Sequence, residues 1–191
     1  MQSLANNLVL LVIDVQKGFD SPYWGTRNNP QAEANISTLL QIWRDSHRPV
    51  IHVRHMSTEP DSPLRPGQPG NDFKLEAQPA RGERVEEKNV NSAFIGTGLE
   101  EFLRQNGFDT IVICGLTTDH CISTTTRMAG NLGFKTYVVA DATATFDRTG
   151  FDGKYFSADE IHNSALASLH NEFATVVLTE ECVKALNAVV L

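Results

Sequence analysis

No apolar run in the sequence is long enough to cross a membrane: VLLVI, the first such stretch, is interrupted at Asp14, far short of the roughly 18 residues that a span needs. The amino-terminal MQSLANN carries no basic leader, so a cytoplasmic protein with no membrane partner is expected. Positive charge is scarce as well. With 16 Lys and Arg against 23 Asp and Glu, a net charge of -7 and a pI near 5.3, the average field repels nucleic acid and anionic lipid, and neither is expected as a partner. Cysteine is sparse too. Cys114, Cys121 and Cys182 form an odd, scattered set, unlike the dense, even spacing of a secreted disulfide framework, and reduced thiols follow.

What is present is an alternation. The runs VLLVI and TIVIC are nearly continuous in apolar residues, as parallel strands covered on both faces tend to be, and they are separated by segments with apolar residues at three and four spacing. This βαβ rhythm predicts a three-layer α/β sandwich with a central, mainly parallel six-stranded sheet, Rossmann-like, in a single domain over residues 1–191. Strands are expected near 8–14, 49–55, 84–88, 110–116, 135–141 and 174–178, and helices near 31–46, 97–106, 119–132, 158–170 and 179–186, with Gly107 and Gly133 as C-terminal caps. Residues 57–83, rich in proline and glycine and without periodicity, break the rhythm; a loop this long in a compact domain is expected to be a lid or an oligomer contact.

In such a sheet, ligands bind beyond the carboxyl ends of the strands. The first strand runs into Asp14, the third ends in Lys88, and the fourth runs through Gly115 to His120 ahead of Cys121. A carboxylate directly after VLLVI is withdrawn from water and needs a partner, for which Lys88 is placed. Cys121 falls in the first turn of a helix, where unpaired N–H groups and a nearby Lys88 lower a thiol's pKa. Two readings stay open on this ground: a structural ion pair beside an inert cysteine, or an activated nucleophile. Cys114, inside TIVIC, and Cys182, in the last helix, read as core residues. His120 is set aside as the base because adjacent helical residues do not face each other. Asp141, Thr143, Thr145, Asp147 and Arg148 read as structural turn residues outside the catalytic set.

Three motifs in order, LLVIDVQKGF with Asp14, Gln16 and Phe19, GERVEEKNVNSAF with Lys88, Ser92, Ala93 and Phe94, and ICGLTTDHCISTTTRMAGNLGFKTYVVADATA with Cys121, resemble the cysteine-hydrolase branch of the isochorismatase-like superfamily. The resemblance spans almost the whole chain. It implies a catalytic triad of Asp14, Lys88 and Cys121 acting on an amide-type carbon–nitrogen bond, amide, carbamoyl, ureido or lactam, of a small-molecule substrate. It also implies a cis peptide joining Leu116 to Thr117, aiming the N–H groups of Thr117 and Cys121 at one point as an oxyanion hole. A homodimer or homotetramer is implied by analogy, with the apolar carboxyl tail NAVVL as a surface for a partner subunit.

Nicotinamidases of this superfamily bind a metal ion through an Asp-x-His pair and a further histidine following the first strand, whereas the Asp-x-His of this sequence, Asp45-Ser46-His47, falls at the end of the first helical segment instead. His52 and His55 are three apart on a strand, so they point to opposite faces and do not chelate one ion together. No metal and no cofactor are therefore expected. Phe19, Trp24, His55 and Phe94 are the substrate-wall candidates, because ligand sites are mostly apolar with a few placed polar groups. Two other readings compete: vinyl-ether hydrolysis, in whose branch another residue commonly occupies the cysteine position, and a non-catalytic oligomeric scaffold that has kept the fold.

Overall fold

The computed structural model describes residues 7–187. Six strands, β1 (Leu8–Ile13), β2 (Val50–His55), β3 (Arg84–Lys88), β4 (Thr110–Leu116), β5 (Lys135–Ala144) and β8 (Thr175–Val177), form one sheet in the order β3-β2-β1-β4-β5-β8. Every neighbouring pair is parallel. Five α-helices complete the layers: α1 (Ala32–Asp45), α2 (Leu99–Gln105), α3 (Ser123–Asn131), α4 (Ala158–Leu169) and α5 (Thr179–Asn187). This is the three-layer arrangement the alternation predicts.

The period of two along β1 divides the core. Leu8, Leu10 and Val12 face one side, packing with Ile36, Leu39, Leu40 and Trp43 of α1 and with Cys182 and Leu186 of α5. Val9, Leu11 and Ile13 face the other, with Leu99 and Leu103 of α2, Ala129 of α3 and Leu166 and Leu169 of α4. All six β1 side chains are buried, which accounts for its unbroken apolar run. Cys114 and Cys182 both lie in the first of these clusters, as core residues. None of the described helices is long and apolar enough to cross a membrane.

The winding reverses between β1 and β4, so their carboxyl ends open the crevice in which ligands of doubly wound sheets bind. At this point the two backbones nearly touch: Gly115 has φ +123°, and a Cβ there would lie 2.0 Å from the carbonyl oxygen of Ile13. Only glycine fits. Beyond β4 the chain makes a π-helical turn, Thr118–Ile122, before α3 begins, so the single helix expected over 119–132 is two pieces. The N–H of Ile122 donates to the Thr117 carbonyl at 3.1 Å, closing the wider ring. The short antiparallel pair β6 (Arg148–Thr149) and β7 (Tyr155–Phe156) is an addition without a periodic signal to announce it. Residues 188–191 of the NAVVL tail lie outside the described residues.

The aperiodic segment 57–83 is built into the fold. Two 3-10 turns, Pro69–Asn71 and Leu75–Ala77, punctuate it, and buried Gln16 ties it down. Gln16 Nε2 donates to the carbonyls of His55 (3.0 Å) and Asn71 (2.9 Å), while its Oε1 accepts the N–H of His55 at 2.8 Å. Asn71 Nδ2 in turn donates to His55 O at 2.8 Å and Leu64 O at 2.7 Å. These bonds fix the segment against the carboxyl ends of β1 and β2.

Candidate active site

Three strand ends converge on one buried charge pair. Asp14, at φ 53° just past β1, and Lys88, the last residue of β3, are both fully buried, with Lys88 Nζ 2.5 Å from Asp14 Oδ2. The same ammonium lies 3.3 Å from Cys121 Sγ in the π turn and 3.2 Å from His55 Nδ1 at the end of β2. Burial alone would lower the pKa of Lys88, but Asp14 and Cys121 outweigh it and hold the ammonium above its ordinary value. Burial, assisted by Lys88 and opposed by Asp14, holds His55 below its ordinary value. The other oxygen of Asp14, Oδ1, is buried and has no hydrogen-bond partner.

The thiol departs from the expectation of a lowered pKa. Burial, and then the Asp14 carboxylate, push the Cys121 thiol far up, against the opposing pull of Lys88. The position at the head of a helix is as expected; the near-complete withdrawal from water, 8 % exposed, is the larger effect. The resting group is a thiol beside a carboxylate.

A cavity of about 80 Å³ opens onto this cluster, with Asp14, His55 and Cys121 on its floor. Phe19, Trp24 and Leu64 give it an apolar wall, and Asn91, Thr117 and His120 a polar one. The Phe19 and Trp24 rings lie 5.0 Å apart, each backed by Phe146, and Trp24 Nε1 is anchored to Gly18 O at 2.9 Å. Of the expected wall residues, Phe19, Trp24 and His55 line the cavity. Phe94 does not: its ring stacks on Phe134, 5.9 Å away, in the core behind Cys121. The sequence reasoning missed Leu64, Asn91 and His120. The neighbour argument against His120 bears on its acting as a base toward Cys121, not on its reaching the rim.

The turn that carries Cys121 is braced from behind. Thr118 Oγ1 lies 2.9 Å from His162 Nδ1 of α4. Asp119 accepts from Thr145 Oγ1 and, at 3.2 Å, from Arg148 Nε. Asp141 caps α5 through the N–H and hydroxyl of Thr179, each at 2.8 Å, and Asp147 accepts the N–H of Thr26 at 3.0 Å. These residues of the β5 end are supports, none of them lining the cavity. The Leu116–Thr117 peptide is cis, and the N–H of Thr117 meets no protein acceptor among the described residues.

His52 and His55 do part to opposite faces. His52 is buried against Glu83, Nε2 to Oε2 at 2.8 Å, with its ring edge-on to Phe73. His55, however, joins Asp14 and Cys121 in a cluster whose ligand-capable atoms all lie within 4.8 Å of one another. Lys88 Nζ touches all three residues, so its positive charge already stands at their focus. A divalent ion there would have to displace a buried ammonium, and the donor set does not fit a metal while Lys88 is charged.

Residues 9–181 match the family described as Isochorismatase domain. An isochorismatase family protein of Bacillus subtilis (strain 168), YrdC, is 49% identical over 174 residues, 91% of this chain and 93% of its own. Nicotinamidase 3 of Arabidopsis thaliana is 30% identical over 181 residues, 88% of this chain and 83% of its own. The crystal structure of an isochorismatase-family protein from Chromobacterium violaceum ATCC 12472 superimposes with a TM-score of 0.95 at 46% identity, covering 98% of this chain and 97% of that one.

Proposed function

The chain belongs to the isochorismatase family, and from that membership we propose that it is a cysteine hydrolase cleaving an amide, carbamoyl, ureido or lactam carbon–nitrogen bond of a small molecule. The observation that carries the reading is the bridging position of Lys88, 2.5 Å from Asp14 Oδ2 and 3.3 Å from Cys121 Sγ, directly behind the Asp14 and Cys121 floor of the cavity. A nucleophile, a proton acceptor and a fixed cation are within reach of one reacting carbonyl.

The chemistry follows from that geometry. Asp14 takes the thiol proton as the sulfur attacks the carbonyl carbon, and Lys88 stabilises the thiolate as it forms. The carbonyl oxygen gains the negative charge, which the N–H groups of Thr117 and Cys121 receive; one such donor typically contributes about 2.7 to 4 kcal/mol. Collapse breaks the carbon–nitrogen bond, and the departing nitrogen takes the proton from Asp14, leaving a thioester on Cys121. Water, losing a proton to Asp14, attacks the thioester, releases the acid and returns the thiol. A raised thiol pKa suits this order of events: the proton leaves only when a carbonyl is in place to accept the sulfur.

The test is a screen of small amides, ureas and lactams for released ammonia or amine, with wild type beside Cys121→Ser, Lys88→Met and Asp14→Asn. A loss of at least about a thousandfold in kcat/KM in each variant is expected, together with a mass shift on Cys121 equal to the acyl group in rapidly quenched wild type. Undiminished hydrolysis by Cys121→Ser would overturn the reading.

A further inference from the structure

We propose that the cavity over Cys121 selects an uncharged primary amide or ureido group on a small apolar body and rejects amides that also carry a carboxylate. Turnover of such a ligand rests on the hydrolase reading above, whereas its binding does not.

The first ground is a carboxylate oxygen, beside the Cys121 thiol, that no N–H or O–H group among the described residues meets. Asp14 lines the cavity, its Oδ2 is taken by Lys88, and its Oδ1 is buried with no partner in the protein. A buried carboxylate oxygen left unpaired is costly, and a ligand N–H placed against it removes that cost. The ligand therefore brings an N–H donor to the reacting end. An NH₂ group suits best, since one hydrogen can meet Oδ1 while the nitrogen remains where Asp14 can later return a proton to it.

The second ground is the absence of an uncommitted cation among the lining residues. None of them is Lys or Arg. Lys88, behind the floor, is fully buried and shared among Asp14, His55 and Cys121. His55 Nδ1 faces the Lys88 ammonium at 3.2 Å, and burial together with this neighbour disfavours a second positive charge on its ring. His120 Nε2 lies 3.4 Å from Asp119 Oδ2, an oxygen it shares with Arg148 Nε. A carboxylate on the substrate would thus enter a partly desolvated space beside the Asp14 anion with nothing to pair it.

The third ground is the wall. Phe19, Trp24 and Leu64 offer an apolar surface, with the two rings 5.0 Å apart. The cavity, about 80 Å³, is small beside the roughly 300–1,000 Å³ of drug-sized sites, which limits the body to a few carbon atoms.

The experiment uses the full-length Cys121→Ser protein and calorimetric or saturation-transfer NMR titration with butyramide, succinamide, succinamate and N,N-dimethylbutyramide. Succinamide and succinamate differ in little but the charge, and the dimethyl compound removes the N–H donors. Butyramide and succinamide are expected to bind at least tenfold more tightly than either of the others. Asn91→Arg, a change at an exposed rim position, is expected to bring succinamate to parity with succinamide or better. Equal binding of succinamate and succinamide without that change, or no binding of either neutral amide, would overturn the inference. Binding of the neutral amides by Cys121→Ser without turnover by wild type would sink the hydrolase reading and leave the inference standing. Hydrolysis of succinamate at a kcat/KM at or above that of succinamide would do the reverse.

Discussion

Lys88 Nζ sits 2.5 Å from Asp14 Oδ2, and neither side chain reaches solvent. Removing one member of such a pair leaves an uncompensated buried charge, which costs about 3–5 kcal/mol, whereas removing both leaves none. Lys88→Met is therefore expected to lose stability in that range. The double variant Asp14→Asn with Lys88→Met should regain most of it, since Asn tolerates the positive φ of 53° at position 14. Urea denaturation at pH 7 of both single variants and the double measures this; a loss in the double variant equal to the sum of the two single losses would mean the pair is not coupled.

The same two residues act on the Cys121 thiol in opposite senses. Asp14 raises its pKa and Lys88 lowers it, with burial the largest influence. Iodoacetamide labelling of Cys121 in wild type should be slow at pH 7 and still be accelerating above pH 8.5, the range in which a free thiol has half ionised. Asp14→Asn should speed labelling at pH 8, and Lys88→Met should slow it. Labelling mapped by mass spectrometry decides this, and a change of the same sign in both variants contradicts the assignment.

Gln16 joins β1, β2 and the segment 57–83 through its three hydrogen bonds to His55 and Asn71. Gln16→Ala leaves the His55 N–H and the Asn71 carbonyl without this partner, at about 1–3 kcal/mol for a buried group so deprived, whereas the His55 carbonyl keeps the bond from Asn71 Nδ2. Faster amide exchange is expected across residues 64–71, with a rise in KM for any substrate that touches Leu64. Unchanged exchange there would show that the segment holds its place without Gln16.

The sheet was legible because its signal is physical and local. β1 is covered on both faces, so its run of apolar residues admits no other strand reading, and the abrupt Asp14 marks where the cover ends. The floor of the site was legible for the same reason: an acid after VLLVI, a lysine ending a neighbouring strand and a cysteine opening a helix fall at carboxyl ends of a parallel sheet. The walls were not. Leu64 reaches the cavity only because Gln16 and Asn71 fold an aperiodic loop back over β1, a long-range effect with no periodicity to betray it. Phe94 reads as an aromatic near Lys88, but nothing in the sequence says that Phe134 will take its ring. The sign of the Cys121 shift was missed because sequence position reports the helix terminus, whereas depth of burial depends on what packs around it.

Three histidines largely withdrawn from water give the last expectation its pH window. His52, His55 and His162 are all held below their ordinary pKa, burial being the largest cause in each. In the unfolded chain they protonate near pH 6.5, so the unfolded state binds more protons and stability is lost as pH falls below that value. Glu33 and Glu83 are different: burial would raise them, but Arg27 and Lys74 for Glu33, and Arg44, the Ala80 N–H and His52 for Glu83, bring both down to about 2. Their contribution is complete above about pH 4.5 and is lost only as pH falls from there toward 2. Between pH 6.5 and 4.5 the decline of stability thus reports chiefly on the histidines, each adding at most about 1.4 kcal/mol per pH unit. For His162 burial outweighs Asp159 and Asp119, which raise it, and its Nδ1 lies 2.9 Å from Thr118 Oγ1. His162→Gln, uncharged at every pH, should flatten the curve between pH 6.5 and 4.5 and leave the steep loss below pH 4.5 in place. Urea midpoints measured at half-unit steps from pH 7 to 3 test this, and a curve for His162→Gln parallel to wild type would show that His162 takes up no extra proton on unfolding.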